Sequence, residues 1–124
     1  MDIYGKKVLV LGGWGLVGKA ITRRLMIEKP SGLIITSLKE SEAKDEVEYL
    51  KKTYPGLPED FFVPWWGNVL VRNEYKDMSR PEMLADPERR RIVIDDVMDD
   101  LTDDVLSAQA LYKLLEQHKP DIII

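Results

Sequence analysis

Gly12, Gly13, Gly15 and Gly18 follow an apolar run, Val8 to Leu11, and lead into helix-forming sequence from Lys19 to Lys29. Glycines packed this closely let backbone amides approach a polyanion that side chains would keep away. A side chain at Gly12 or Gly15 would block the tight turn or hold a phosphate off. Gly18 lets the following helix pack closely on the strand. The start of that helix adds unpaired N–H groups and a partial positive charge. Gly12, Gly13, Trp14, Gly15, Leu16, Val17 and Gly18 are therefore the candidate pyrophosphate-contacting segment. Trp14, inside the loop, is placed to cover the pyrophosphate or its ribose, or to pack under the turn.

The order strand, glycine turn, helix is the first unit of a dinucleotide-binding fold. Gly12, Gly15 and Gly18 read G-x-x-G-x-x-G, and Gly13, Gly15 and Gly18 fit G-x-G-x-x-G. In such folds an acidic residue roughly 20 positions further on grips the ribose 2′-hydroxyl and favours NAD. Here that place falls on Thr36 or Ser37, with Lys39 just beyond and no carboxylate before Glu40. Hydroxyls and a cation suit a 2′-phosphate, so the expected cofactor is NADP or NAD, leaning to NADP.

Other residue groups carry less. Trp65 and Trp66 could stack on a base, but core packing or a buried interface explains them as well. Arg89-Arg90-Arg91 could meet phosphate, and reads more simply as a solvated approach to a strand. Asp99, Asp100, Asp103 and Asp104 fit a solvated loop and helix cap. His118 is the single histidine and the acidic run lacks the spacing of a calcium loop, so no metal site is expected.

The positioning elements follow from periodicity. Strands are expected at Lys7–Leu11, Gly32–Ser37 and Phe61–Trp66, with Val69–Arg72 as a candidate extension of the third. Arg91–Ile94 is a further strand candidate, and Asp121–Ile124 the last. Helices are expected at Lys19–Lys29, with Ala20, Ile21, Leu25 and Met26 inward, and at Ser41–Tyr54, with Ala43, Val47 and Leu50 inward. A short helix fits Pro81–Ala85, and a longer one, capped by Thr102, fits Asp103–His118. Its inner stripe is Val105, Ala108, Leu111, Leu114 and Leu115. Strands alternating with helices mean an α/β fold, a Rossmann-like doubly wound parallel sheet. Residues 1–124 are expected to form the N-terminal part of one such domain, with an insertion around 67–101. The chain stops within an apolar run, Ile122-Ile123-Ile124, as a fragment or the N-terminal part of a longer protein would.

With 44% hydrophobic and 32% charged residues the chain is globular. Its net charge of −4 speaks against nonspecific binding to nucleic acid or an anionic membrane. There is no cysteine, hence no disulfide framework or thiolate chemistry. No secretory signal or membrane-spanning run is visible, so a cytoplasmic location is expected.

The glycine turn resembles the T-G-x-x-G-x-x-G of extended and atypical short-chain dehydrogenase/reductases, with Leu11 where that family usually has threonine. The closing H-K-P-D-I-I-I is similar to the helix and fourth strand of the NAD-dependent epimerase/dehydratase type. The resemblance runs from Lys6 to Ile124 and is weak in the middle. It implies an adenine-reading element after the third strand, for which two segments compete. Gly67-Asn68-Val69 offers Asn68 and Val69, favoured by chain order. Asp95-Asp96-Val97 offers Asp96 and Val97, favoured by closeness to the family's acidic pair. The family's catalytic Tyr-x-x-x-Lys is absent, because Tyr4, Tyr49, Tyr54, Tyr75 and Tyr112 are followed four positions on by Val8, Thr53, Pro58, Ser79 and Glu116. The resemblance thus implies nicotinamide-dinucleotide binding as the cofactor half of an oxidoreductase, or of a sugar-nucleotide-type epimerase or dehydratase, with a small-molecule substrate. A homo-oligomer, or pairing with a C-terminal part, would complete it. The alternatives are a non-catalytic NAD(P)-sensing regulatory protein and, less well matched, an adenosylmethionine-dependent methyltransferase.

Overall fold

The computed structural model describes residues 2–124. They divide into two compact units, residues 2–67 with 118–124, and residues 68–117.

The first unit is an α/β fold of the Rossmann-like class. Its strands β1 (Lys7–Val10), β2 (Gly32–Ser37), β3 (Phe62–Trp66) and β4 (Ile122–Ile123) form an all-parallel sheet in the order β3-β2-β1-β4. Helix α1 (Leu16–Ile27) joins β1 to β2, and α2 (Glu40–Thr53) joins β2 to β3. Val8, Val10, Leu33 and Ile35 on one sheet face pack with Leu25 of α1 and Val47 and Leu50 of α2. Leu9 and Ile34 point to the other face and are equally buried. Burial on both faces is what continuous apolar strands without alternation require. Strand order reverses at β1, whose neighbours are β2 and β4. The carboxyl end of β1 is therefore the topological switch point, where open α/β sheets bind ligands.

Two details of α1 differ from expectation. It begins at Leu16 rather than Lys19, so the glycine turn runs directly into the helix. Ala20 is exposed, and the buried face is Gly18, Thr22 and Leu25. Trp65 is buried in β3, in keeping with core packing.

The second unit is built of short helices: a 3-10 turn at Asn73–Tyr75, α3 (Arg80–Ala85), α4 (Pro87–Met98) and α5 (Asp103–Ala108). A further helix, α6, spans Ala110–His118. The expected strand at Arg91–Ile94 is a correction, for those residues lie inside α4. The reason is a strong local start signal. Asp86 caps the helix by accepting from the Arg89 amide at 2.8 Å, and Pro87 supplies a pre-set first position. Four β-prone residues do not outweigh that cap. Arg89 and Arg90 are correspondingly not a strand approach: they donate to the carbonyls of Glu82 and Leu84 and tie α4 to α3. Val69–Arg72 does not extend β3, and makes instead one antiparallel bridge, Arg72 to Gln109. That bridge breaks the expected Asp103–His118 helix in two. Gln109 is extended (φ −69, ψ 143), and the next amide, Ala110, donates to the Val71 carbonyl at 2.9 Å. Thr102 caps α5 by accepting from the Val105 amide, with Asp103 and Asp104 in the first turn.

The same junction holds a paired charge. Arg72 donates twice to Asp96, at 2.7 and 2.8 Å, and Gln109 Nε2 reaches Asp96 at 3.3 Å. The hydrogen-bonded guanidinium keeps the Asp96 carboxyl below its ordinary range, against the opposing effect of burial. A depressed carboxylate stabilises the fold above its unfolded value, about 4, and this is lost as pH falls through the lower folded value. Asp96→Asn should cost about 1–3 kcal/mol at pH 7 and shrink the stability difference between pH 7 and pH 3, as read by urea unfolding at the two pH values.

Candidate functional site

The glycine turn sits at the switch point, and hydrogen bonds from both neighbouring strands fix it. Leu11 donates to the Ile124 carbonyl at 2.8 Å, beyond β4, and Gly13 donates to the Thr36 carbonyl at 2.8 Å, in β2. The Thr36 hydroxyl accepts from the Gly12 amide at 3.2 Å and donates to the Val10 carbonyl at 3.1 Å. Thr36 is 3% exposed and both functions of its hydroxyl are engaged. It buttresses the turn rather than presenting a hydroxyl to a ribose, a correction to its expected place among the cofactor contacts.

Each glycine answers to a different demand. Gly12 has φ +72, a left-handed conformation that disfavours any side chain. A Cβ on Gly13 would stand 2.6 Å from Ile35 Cγ2. A Cβ on Gly18 would collide with the Gly12 carbonyl oxygen and come within 2.6 Å of Gly13 Cα, so the helix packs on the turn itself. Gly15 is unlike these. Its backbone is ordinary (φ −65, ψ 167), and a Cβ there would make only a normal contact, 3.6 Å, with the Gly12 oxygen. Nothing in the fold requires glycine at this position.

Gly15 is also the N-cap of α1, where it offers no side-chain acceptor. The first amides of a helix have no partner within it. The starts of α2, α3, α4 and α5 carry acidic residues, and that of α1 carries none. Leu16 and Val17 are 91% and 73% exposed, large apolar side chains held in the open beside these amides. Trp14 lies against Lys19, whose Nζ stands 4.1 Å from the ring centroid.

At the end of β2, Ser37 and Lys39 converge on a residue that sequence reasoning missed. Ser37 Oγ donates to Glu42 Oε2 at 2.5 Å, and Lys39 Nζ lies 3.9 Å from Glu42 Oε1. Glu42 belongs to the first turn of α2, and the helix brings it back over the strand end. The signal was present in the three-residue spacing from Lys39, which places the two on one helical face.

Of the two adenine-reading segments, Gly67-Asn68-Val69 follows directly on β3, and the Gly67 amide donates to the Ser37 carbonyl at 3.0 Å. Asn68 Oδ1 accepts from the Leu70 amide at 2.9 Å, an Asx turn. Asp96 and Val97 follow no strand, which corrects the basis on which they were candidates. Both lie on α4, where Asp96 is held by Arg72 and Val97 is 73% exposed.

No family model and no curated protein matches this chain. Among solved structures it is similar to the X-ray structure of Pen from Bacillus thuringiensis, with 24% identity and a TM-score of 0.47 over 56% of this chain. The chain spans 20% of the length of that protein. Among the described residues no helix is long and apolar enough to cross a membrane.

The glycines separate into fold and site by substitution. Gly18→Ala should destabilise the first unit by at least about 2 kcal/mol through backbone overlap, and Gly12→Val should also unfold it partly through strain at positive φ. Gly15→Ala should change stability by less than about 1 kcal/mol. Thermal unfolding followed by circular dichroism measures all three.

Proposed function

We propose that this chain binds a nicotinamide dinucleotide, NADP or NAD, with the pyrophosphate on the turn from Gly12 to Gly18 and the amides that open α1. The observation that carries this reading is Gly15. It is the one glycine of the turn that packing and backbone conformation leave unexplained, and it stands at an uncapped, acid-free helix start at the switch point of the sheet. A phosphate seated there needs the space that a Cβ would fill.

In this reading Ser37 and Lys39 lie where the adenosine ribose ends, and Lys39 supports a 2′-phosphate. Glu42 opposes that phosphate and would accept from a free 2′-hydroxyl instead, so the cofactor choice is a balance between Lys39 and Glu42. Asn68, following β3, is the better candidate to accept from the adenine amino group. A bound nicotinamide would supply hydride transfer. This chain's residues would hold its adenosine and pyrophosphate as the cofactor half of an oxidoreductase or epimerase of the short-chain dehydrogenase/reductase kind.

Glu42 also favours a second reading. A carboxylate at the end of β2 is what the ribose hydroxyls of adenosylmethionine would need, and the sequence pattern did not provide one there.

Calorimetric titration with NADPH, NADH and adenosylmethionine separates these readings. Dinucleotide binding that Gly15→Ala weakens by tenfold or more, about 1.4 kcal/mol, supports the proposal. Binding of adenosylmethionine alone overturns it. Lys39→Ala should weaken NADPH by about fivefold and leave NADH unchanged, whereas Glu42→Gln should strengthen NADPH by a similar factor and weaken NADH.

A further inference from the structure

One buried charge beside the glycine turn is unexplained by stability. Glu46 lies on the inward face of α2 with Ala43, Val47 and Leu50 and is 1% exposed. Its Oε2 receives no hydrogen bond. Its counter-ion is Lys19, with Nζ 3.4 Å from Oε2. Burying a carboxylate whose Oε2 has only an ion pair at 3.4 Å gains little over an apolar residue of the same volume, which would complete the stripe. The carboxylate is therefore retained for something other than holding α2 on the sheet.

What it does is visible in the same lysine. Lys19 belongs to the first turn of α1, and its ammonium rests over the Trp14 ring at 4.1 Å from the centroid. An open pocket of about 360 Å³ is lined by Trp14, Lys19, Arg23, Asp45, Glu46 and Tyr49. That room would allow an untethered lysine side chain to take many conformations. Glu46 limits that freedom and leaves the ammonium, still partly exposed, on the indole face.

We propose that Glu46 is a positioning residue for the glycine turn, acting through Lys19 to hold the Trp14 side chain against the start of α1. This rests on the dinucleotide reading for its consequence, in that a fixed Trp14 pre-organises the pyrophosphate loop. The linkage Glu46–Lys19–Trp14 itself is independent of which ligand binds. Trp14 has only the small residues Gly13 and Gly15 as chain neighbours, so the contact on its ring comes from Lys19. The order it has is supplied from α2.

The test uses the full chain with Glu46→Gln, Glu46→Met, Lys19→Met and Lys19→Arg, each checked for folding by circular dichroism. Trp14 emission is isolated as the difference from the same protein carrying Trp14→Phe, and its acrylamide quenching is measured without ligand. The expected result is that both Glu46 variants and Lys19→Met remain folded and show greater quenching of Trp14, while Lys19→Arg retains the wild-type value. Dinucleotide affinity should fall about fivefold in Glu46→Gln and Lys19→Met, with no further loss when the two are combined. Unchanged Trp14 quenching in both Glu46 variants overturns the proposal. Should the wild-type chain bind no dinucleotide, the functional reading falls, and the quenching still decides the role of Glu46. Equal loss of affinity in Lys19→Arg and Lys19→Met would also count against it, since the ammonium would then act by contact rather than by its charge over the ring.

Discussion

The first unit depends on the contact between the start of α1 and the turn that precedes it. Gly18 brings the helix so near the Gly12 carbonyl and the Gly13 backbone that not even a methyl group fits between. This closeness fixes where α1 leaves the sheet, and so where Leu25 meets Val8, Val10 and the stripe of α2. It also fixes the direction of the helix axis, which points the amides of Leu16 and Val17 outward at the carboxyl end of β1. The packing of α1 and the placing of its first amides therefore have one cause. The fold cannot be loosened at Gly18 without moving the site.

Around that contact the chain uses side chains that serve the backbone. Thr36 is the best case, for its hydroxyl joins the Val10 carbonyl to the Gly12 amide and holds the turn to the second strand. A strand end that looks polar enough to greet a ribose is in fact filling a structural demand. The polar work at that edge passes to Ser37, Lys39 and Glu42, which face one another at the start of α2. That edge therefore presents a cation and a carboxylate side by side. Surface ion pairs of this kind contribute little to stability.

The second unit follows another logic. None of its helices is long, α4 buries no residue fully, and its small apolar cluster is Val71, Tyr75 and Met83. Capping groups and one paired charge therefore carry more of the organisation than apolar burial does. Asp86, Ser79 and Thr102 each cap a helix, and the Arg72–Asp96 pair with Gln109 joins three segments distant in sequence.

The sequence by itself determined the parallel α/β architecture, because apolar strands without alternation, separated by amphipathic helices, can be buried only with cover on both faces. It determined the glycine turn and its place before α1 for the same reason, since that information is local: strand, glycines and helix follow within twenty residues. Tertiary structure decided the rest. Residues 91–94 have strand-like side chains, and only the cap at Asp86 and the brace of Arg89 and Arg90 on α3 make them helical. The break at Gln109 comes from a partner some forty residues earlier, Arg72, which no window of helical periodicity contains. Thr36 could be assigned to the turn rather than to a ligand only once Val10 and Gly12 were seen across the sheet. Glu46 is not among the inward residues expected of its helix, because burial of a carboxylate depends on what the fold brings over it. Local order is written in neighbouring residues, whereas the partner of a buried polar group is chosen by the fold.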